Sequence, residues 1–206
     1  MAFTNYNDLK ATIAKYLARS DLNDVIPDFI QLAEQRLRRE LRVRQMLAVA
    51  TAQTTPSDTT VGLPSDFLEM RDIHINGNPI GNLSYLAPNS FYRNEATSFA
   101  GKPKFYTVLG NEMQFAPTPD ASYTLQMLYY SIPPLLSDSN SSNVFLAYFP
   151  DALLYGALGE AEPYLMNDAR LQTWAALYNR AVDSINVADQ SGEYSGQPMT
   201  MNYNVR

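Results

Sequence analysis

Cysteine is absent from the 206-residue chain, so neither a disulfide framework nor a thiolate metal site can form, and a reducing compartment is the simpler expectation. Histidine occurs once, as His74. A single imidazole cannot build a two-histidine metal site, and its place between Ile73 and Ile75 in a strand-like stretch suits a surface or satisfied core residue better than a catalyst. No apolar run approaches the ~18 residues a membrane helix needs, and Met1 to Asp8 lack the basic segment and apolar run of a secretory leader. A soluble intracellular product is expected. Basic residues are scarce in the second half: residues 111–206 carry 3 against 10 acidic ones, while residues 1–110 carry 12 against 11. The formal net charge of -6 therefore falls on the C-terminal half, which repels phosphate. Nucleic acid could pass such a surface without sticking, and no specific DNA binding is expected.

Motifs of nucleotide and acyl chemistry are missing too: there is no G-x-x-x-x-G-K-S/T cradle, no G-x-G-x-x-G turn and no G-x-S-x-G elbow. Asp138-Ser139-Asn140-Ser141-Ser142 begins like a calcium loop, but Asn143 and Phe149 stand at its sixth and twelfth positions, where glycine and a bidentate glutamate belong. An Asx-turn linker is the better reading. Carboxylate pairs suited to glycoside hydrolysis, such as Asp66 with Glu69 or Glu160 with Glu162, occur at the density expected of an acidic chain. No cofactor, metal or catalytic residue is expected from this inventory.

What the chain does have is helical periodicity at both ends. Leu9, Ile13, Tyr16 and Leu17 share one face of a short helix, and Ile26, Ile30, Ala33, Leu37 and Leu41 form the stripe of a longer one from about Val25 to Val43. Near the other end, Pro150 suits an opening helical turn, followed by Leu154, Leu158, Ala161 and Leu165. Asn167-Asp168 supplies a break and a fresh cap, after which Leu171, Trp174, Tyr178, Ala181, Ile185 and Ala188 recur at three and four. Gly156 and Gly159 each cost a helix roughly 1 kcal/mol relative to alanine, which signals either close approach by another element or a tolerated weakness.

Between about Arg44 and Leu136 the period falls to two. Leu68 to Ile75 precedes Asn76-Gly77, a tight-hairpin signal, and Phe105–Leu109 and Glu112–Ala116 flank Gly110-Asn111 as a second hairpin. Tyr123, Leu125, Met127 and Tyr129 alternate along a further strand whose other face is only partly polar. Leu86 to Asn94 reads as a short helical turn and Ser137 to Asn143 as a connector. Helices from both ends and strands from the middle predict an α+β protein. Residues 1–43 and 144–193 form a four-helix bundle, 44–143 an inserted β-rich small sandwich or barrel with its connector, and 194–206 an extended C-terminal arm.

Two segments stand out as candidate contacts. Arg36, Arg38, Arg39, Arg42 and Arg44 place five of the 15 basic residues within nine positions, and Glu34 is spaced to pair with Arg38. A solvated flank, an intersubunit salt-bridge belt and a DNA-contacting patch are the three readings. After Glu193 no acidic residue occurs, and Met199, Met201, Tyr203 and Val205 alternate with Thr200, Asn202, Asn204 and Arg206. That pattern suits a strand pairing with another protein's sheet edge; the alternative is an unstructured terminus. Tyr85, Tyr92, Tyr148, Tyr164, Tyr194 and Tyr203 lie outside the clear core stripes, as interface tyrosines do.

Several segments, in order, carry a family resemblance: Ile26-Pro27-x-Phe29-Ile30-x-Leu32-Ala33-Glu34-x-Arg36-Leu37-x-Arg39 to Leu41-Arg42, Leu63-Pro64-x-Asp66-Phe67-Leu68-Glu69, Gly101-x-Pro103-x-x-Tyr106, Phe115-x-Pro117-x-Pro119-Asp120-x-x-Tyr123-Thr124-Leu125, and Pro150-Asp151-x-Leu153-Leu154-Tyr155-Gly156-Ala157-Leu158-x-Glu160-Ala161 followed by Trp174 and Tyr178. With them the chain resembles the head-tail adaptor, or connector, proteins of short-tailed bacteriophages. The resemblance implies a structural virion protein at the head-tail junction, assembled in the host cytoplasm. It further implies a homo-dodecameric ring joining the portal to the tail nozzle or tail fibre proteins, sealing the filled head, passing genomic DNA, and sending C-terminal arms toward the portal. Arg36 to Arg44, Tyr194, Met199, Met201, Tyr203 and Val205 would then form subunit and portal contacts. The competing classes are a virion-associated peptidoglycan hydrolase working through Glu69, Glu160 or Glu162, and a monomeric DNA-binding module.

Overall fold

The computed structural model describes residues 5–19, 21–77, 80–166 and 168–194. It is a mixed α+β chain in two compact units, one comprising residues 1–45 and 133–206 and the other residues 46–132. The arm residues Met199, Met201, Tyr203 and Val205, and the break at Asn167, lie outside the described residues.

The first unit is helical. Helix α1 (Tyr6–Leu17) opens on Asn5, whose side chain accepts from the Asp8 amide at 2.9 Å, and closes on Ala18 in the left-handed region (φ 53°). Tyr6, Leu9, Ile13 and Leu17 form its buried stripe, whereas Tyr16, expected on that face, is 48% exposed. Helix α2 (Ile26–Glu40) starts with Pro27 in its first turn and buries Ile26, Phe29, Ile30, Ala33, Glu34 and Leu37. It ends three residues short of the span expected from the sequence, because Leu41 turns extended (φ -98°, ψ 136°).

A short helix, α4 (Val144–Tyr148), is capped by Asn143, which accepts from the Leu146 amide at 3.1 Å. Phe145 is fully buried in it. Helix α5 (Pro150–Tyr164) is the centre of the unit. It buries Ala152, Leu153, Leu154, Gly156, Ala157, Leu158 and Ala161 around most of its circumference, which is why its amphipathic stripe is indistinct, and it packs mainly against α2 and the helix that follows it. Helix α6 (Asp168–Tyr194) buries Tyr178, Ala181 and Ile185. The stripe expected to run on to Ala188 stops at Ile185, since Ala188 is exposed. Trp174 is half-buried, stacked on Tyr155 with ring centroids 6.3 Å apart and edge-on to Tyr16 at 6.1 Å. Five helices of this unit are described, α1, α2, α4, α5 and α6, so the account of a bundle of four omits α4.

The two glycines of α5 differ. A Cβ on Gly156 would lie 3.1 Å from the Ala33 Cβ on α2 and 3.3 Å from the Tyr178 ring on α6, so this glycine sits where three helices converge. A Cβ on Gly159 would meet nothing within 4 Å.

The second unit is built of strands. Strands β1 (Leu47–Gln53), β8 (Thr124–Ser131), β3 (Phe67–Ile75) and β4 (Gly81–Asn82) form one sheet in that order, and β2 (Thr60–Gly62), β7 (Glu112–Ala116), β6 (Phe105–Leu109) and β5 (Ser84–Tyr85) form another. All neighbours are antiparallel except β5 and β6. Ile73, Ile75, Leu125, Met127 and Tyr129 of the first sheet and Tyr106, Met113 and Phe115 of the second share one buried cluster, with Leu83. Two sheets thus close on a common core. A short helix, α3 (Pro88–Tyr92), follows β5 where a helical turn was expected.

The β6–β7 hairpin turns on Gly110 and Asn111, with Leu109 opposite Glu112 and Gly110 at φ 61°. The other hairpin signal is realised differently: β3 does return antiparallel into β4, but pairing stops at Ile75 and resumes at Gly81, so the connection is longer than an Asn-Gly turn. Strand β3 also slips register between Phe67 and Glu69 and again between Met70 and Asp72, which breaks the alternation expected there.

The glycine contrast gives a paired expectation. Gly156→Leu should destabilise the protein by about 1–3 kcal/mol through overpacking, whereas Gly159→Ala should stabilise it by up to about 1 kcal/mol through helix propensity. Urea unfolding of both variants checks this, and equal shifts would remove the convergence at Gly156 from the account.

Candidate functional site

The arginine segment does not form a single belt. Only Arg36, Arg38 and Arg39 lie on α2; Arg42 and Arg44 follow its end. Arg38 reaches inward and donates through Nη2 to the carbonyl of Pro133, leaving its buried Nε without a hydrogen-bond partner. Arg42 donates to the carbonyls of Arg38 at 3.0 Å and Leu41 at 2.7 Å, so it caps the helix it follows. Arg44 donates to Asp189 of α6 through its own amide at 2.9 Å and through Nε at 3.1 Å. Arg36 bonds Glu40 at 3.0 Å and lies 4.1 Å from the centre of the Tyr178 ring. Arg39 is the member of the set that stands exposed on α2. The spacing that suggested one charged face resolves into four separate jobs within the helical unit.

Glu34 lies on the buried stripe of α2, 1% exposed. Its carboxylate accepts from the Leu136 amide at 3.1 Å and from the side-chain amide of Asn143, which also donates to the Pro134 carbonyl at 2.9 Å. Burial pushes the Glu34 carboxyl above its ordinary value, against the opposing pull of those donors and of the Arg38 charge. Burial likewise lowers the Arg38 guanidinium, with Glu34 opposing. The expected Glu34 and Arg38 neighbours therefore act together on residues 133–143, the stretch that leads into α4. Tyr178, 1% exposed, donates to Glu40 at 2.6 Å, and burial with that carboxylate holds its hydroxyl far above the usual range.

The carboxylates proposed as hydrolytic pairs have other occupations. Glu162 is fully buried, accepting from Trp174 Nε1 at 2.8 Å and from Arg170 at 3.3 Å, with its second oxygen unpartnered. Asp66 accepts from the Tyr129 hydroxyl at 3.0 Å. Glu69 is exposed and lines a cavity of the β unit together with Arg71, Tyr85 and Tyr106. Among the described residues no group of three or more His, Cys, Asp or Glu could hold a metal ion, and no helix is long and apolar enough to cross a membrane. His74 pairs with Asp72 at 3.5 Å. In residues 137–140, the Asn140 amide bonds the Ser137 hydroxyl at 3.1 Å and Asp138 pairs with Lys10 at 2.8 Å, so the acidic start of the calcium-like loop serves as a turn and an ion pair.

The model of the SU10 adaptor protein family matches residues 4–202. The chain belongs to that family. Among curated proteins, none matches it. Membership supports a structural head-tail adaptor role in a phage, and the adaptor's exposed side chains fit that setting. Tyr85, Tyr92, Tyr148 and Tyr164, singled out from the sequence, are 55–62% exposed. Leu32, Val49, Ile80, Phe99, Met166 and Val187 are exposed as well, and the sequence reading passed over them because single apolar residues at strand and helix edges carry no periodic signature. The Tyr194, Met199, Met201, Tyr203 and Val205 contacts cannot be placed, as the side chain of the first and all of the rest lie outside what is described.

Glu34 gives the adaptor a testable pH dependence. Because its folded-state carboxyl is raised, the stability it contributes is fullest below about pH 4.5 and is lost as pH rises through the folded value. Unfolding of the native chain and of Glu34→Gln, which stays neutral, should therefore diverge in favour of the variant as pH rises above about 4.5. Glu34→Ala should cost roughly 2–4 kcal/mol by stranding the Leu136 and Asn143 donors. A pH-independent difference between native chain and Glu34→Gln would overturn the buried charge.

Proposed function

We propose that the protein is a non-enzymatic adaptor that assembles as a homo-dodecameric ring beneath the portal, seals the DNA-filled head and offers a platform to tail nozzle or fibre proteins. The observation that carries this reading is the family match over residues 4–202. Its physical support is the set of exposed aromatic side chains on both units. The exposed guanidinium of Arg39, the tyrosines and residues 194–206 are the contacts offered to neighbouring subunits and to the portal. The helical insertion plan expected from the sequence, residues 1–43 and 144–193 around 44–143, is the subunit that the ring repeats.

The acidic second half, with 3 basic and 10 acidic groups, suits a channel through which DNA passes without being retained. The subunit is monomeric before assembly and forms the ring on the portal in the virion. A peptidoglycan hydrolase has no observation in its favour, since Glu162 is taken up by Trp174 and Arg170, and Asp66 by Tyr129.

Light scattering of the purified chain with and without portal rings tests the proposal. A monomer alone and a twelve-subunit addition on the portal are expected, together with nuclease protection of DNA in filled heads that lack this protein. A chain that leaves portal mass and nuclease sensitivity unchanged would remove the role.

A further inference from the structure

Phe67, Leu68 and Val108 line two cavities of the β unit, one of about 560 Å³ that extends to Tyr85 and Tyr106 and one of about 340 Å³ that extends to Gly110 and Asn111. Sharing three walls, the two form a single trough. Its lining mixes apolar side chains with polar groups, Glu69, Arg71, Ser65 and Asn111 among them. The trough coincides with the place where one strand of the sandwich runs out of neighbour. Strand β5 pairs with β6 at Ser84↔Phe105 and Tyr85↔Tyr106 only, and after the Leu86 amide has donated to the Tyr106 carbonyl at 2.9 Å the chain departs into α3.

Alternate residues of a strand turn their amide and carbonyl to the same edge. Since the Tyr106 carbonyl faces β5, Val108 presents its N–H and C=O along that same edge, beyond the end of β5. The hairpin agrees, because in a two-residue connection Leu109 and Glu112 exchange the ladder bonds, which leaves Val108 at a position not bonded to β7. Among the described residues no strand pairs with Val108 on the β5 side. An open edge beside a trough with apolar side chains in its wall is a template for an added strand.

We propose that this trough receives residues 199–205 of a second copy of the chain, added as a strand where β5 stops. The proposal rests on the ring reading, in which like subunits stand side by side. Residues 195–198 would bridge the two copies, reaching about 17 Å from Tyr194 to Met199 when extended, and residues 199–205 would lie in the trough. Met199, Met201, Tyr203 and Val205 would fill the trough while Thr200, Asn202 and Asn204 face water, the alternation that strand addition requires. No acidic residue follows Glu193, so nothing in the segment repels Glu69 on the trough lining.

The cysteine-free chain makes the test direct. Tyr85→Cys, at the 55% exposed mouth of the trough, and Met201→Cys are made in separately tagged full-length chains, mixed and oxidised, free and bound to heads that lack this protein. The mixture should yield a covalent heterodimer about tenfold above that of Val49→Cys, exposed on β1, mixed with Met201→Cys. Val108→Pro in the Tyr85→Cys chain removes the edge N–H without touching the β7 ladder, and should abolish that excess at an unchanged melting temperature. Equal yields from Tyr85→Cys and Val49→Cys overturn the trough assignment, as does a disulfide formed only when both cysteines lie in one chain. If those variants still bind heads, the adaptor reading survives the loss; if the native chain fails to bind heads, the reading itself falls.

Discussion

A buried carboxylate holds the helical unit together where the chain returns to it. The polypeptide leaves this unit after Gln45 and re-enters at Pro133, so segments distant in sequence are tied together within it. Glu34 supplies the tie by accepting from Leu136 and Asn143, and Arg38, one turn along α2, takes the Pro133 carbonyl. Asn143 then does a second job, its side-chain oxygen capping α4 while its amide holds Glu34. Removing water from a charge is costly, and the arrangement stands because every donor around that charge belongs to the returning segment. The position of α5, and through it the packing of α2 and α6 around Gly156, follows from this junction.

Much of the fold was legible in the sequence where periodicity is produced by burial on one face. Leu9, Ile13 and Leu17 of α1, Ile26, Ile30, Ala33 and Leu37 of α2, the Gly110-Asn111 hairpin and the buried alternation of Leu125, Met127 and Tyr129 on β8 appear as the spacing required, while Tyr16 is exposed and Leu41 lies past the end of α2. The misses have physical reasons. Helix α5 is enclosed on most sides, so its apolar residues carry little directional signal, and Ala188 keeps the spacing of α6 yet is exposed. The register slips in β3 insert residues that period-two reasoning cannot count. Gly156 and Gly159 look alike in sequence, and only the neighbours Ala33 and Tyr178 separate them.

The candidate contacts were less legible than the fold. Five arginines in nine positions suggested one surface, yet a helix that stops at Glu40 sends Arg42 and Arg44 in new directions, and guanidinium groups readily satisfy carbonyls close by. Glu34 escaped notice as a core residue because a carboxylate at a stripe position reads as an interruption, not as the anchor of a segment about a hundred residues away. The exposed tyrosines were found because that residue's presence outside the core stripes is itself informative.

The nesting of one unit inside the sequence of the other sets an order on biosynthesis. Helices α1 and α2 emerge from the ribosome first, but their main packing partner, α5, follows only after the whole β unit, roughly 5–20 seconds later at ordinary elongation rates. The sandwich is a contiguous stretch and can close as soon as it is translated. During that interval the apolar stripe of α2, with the carboxylate of Glu34 in its midst, stays in water. A charge that is awkward inside the finished protein thus serves the nascent chain as a solubilising group until its own donors arrive.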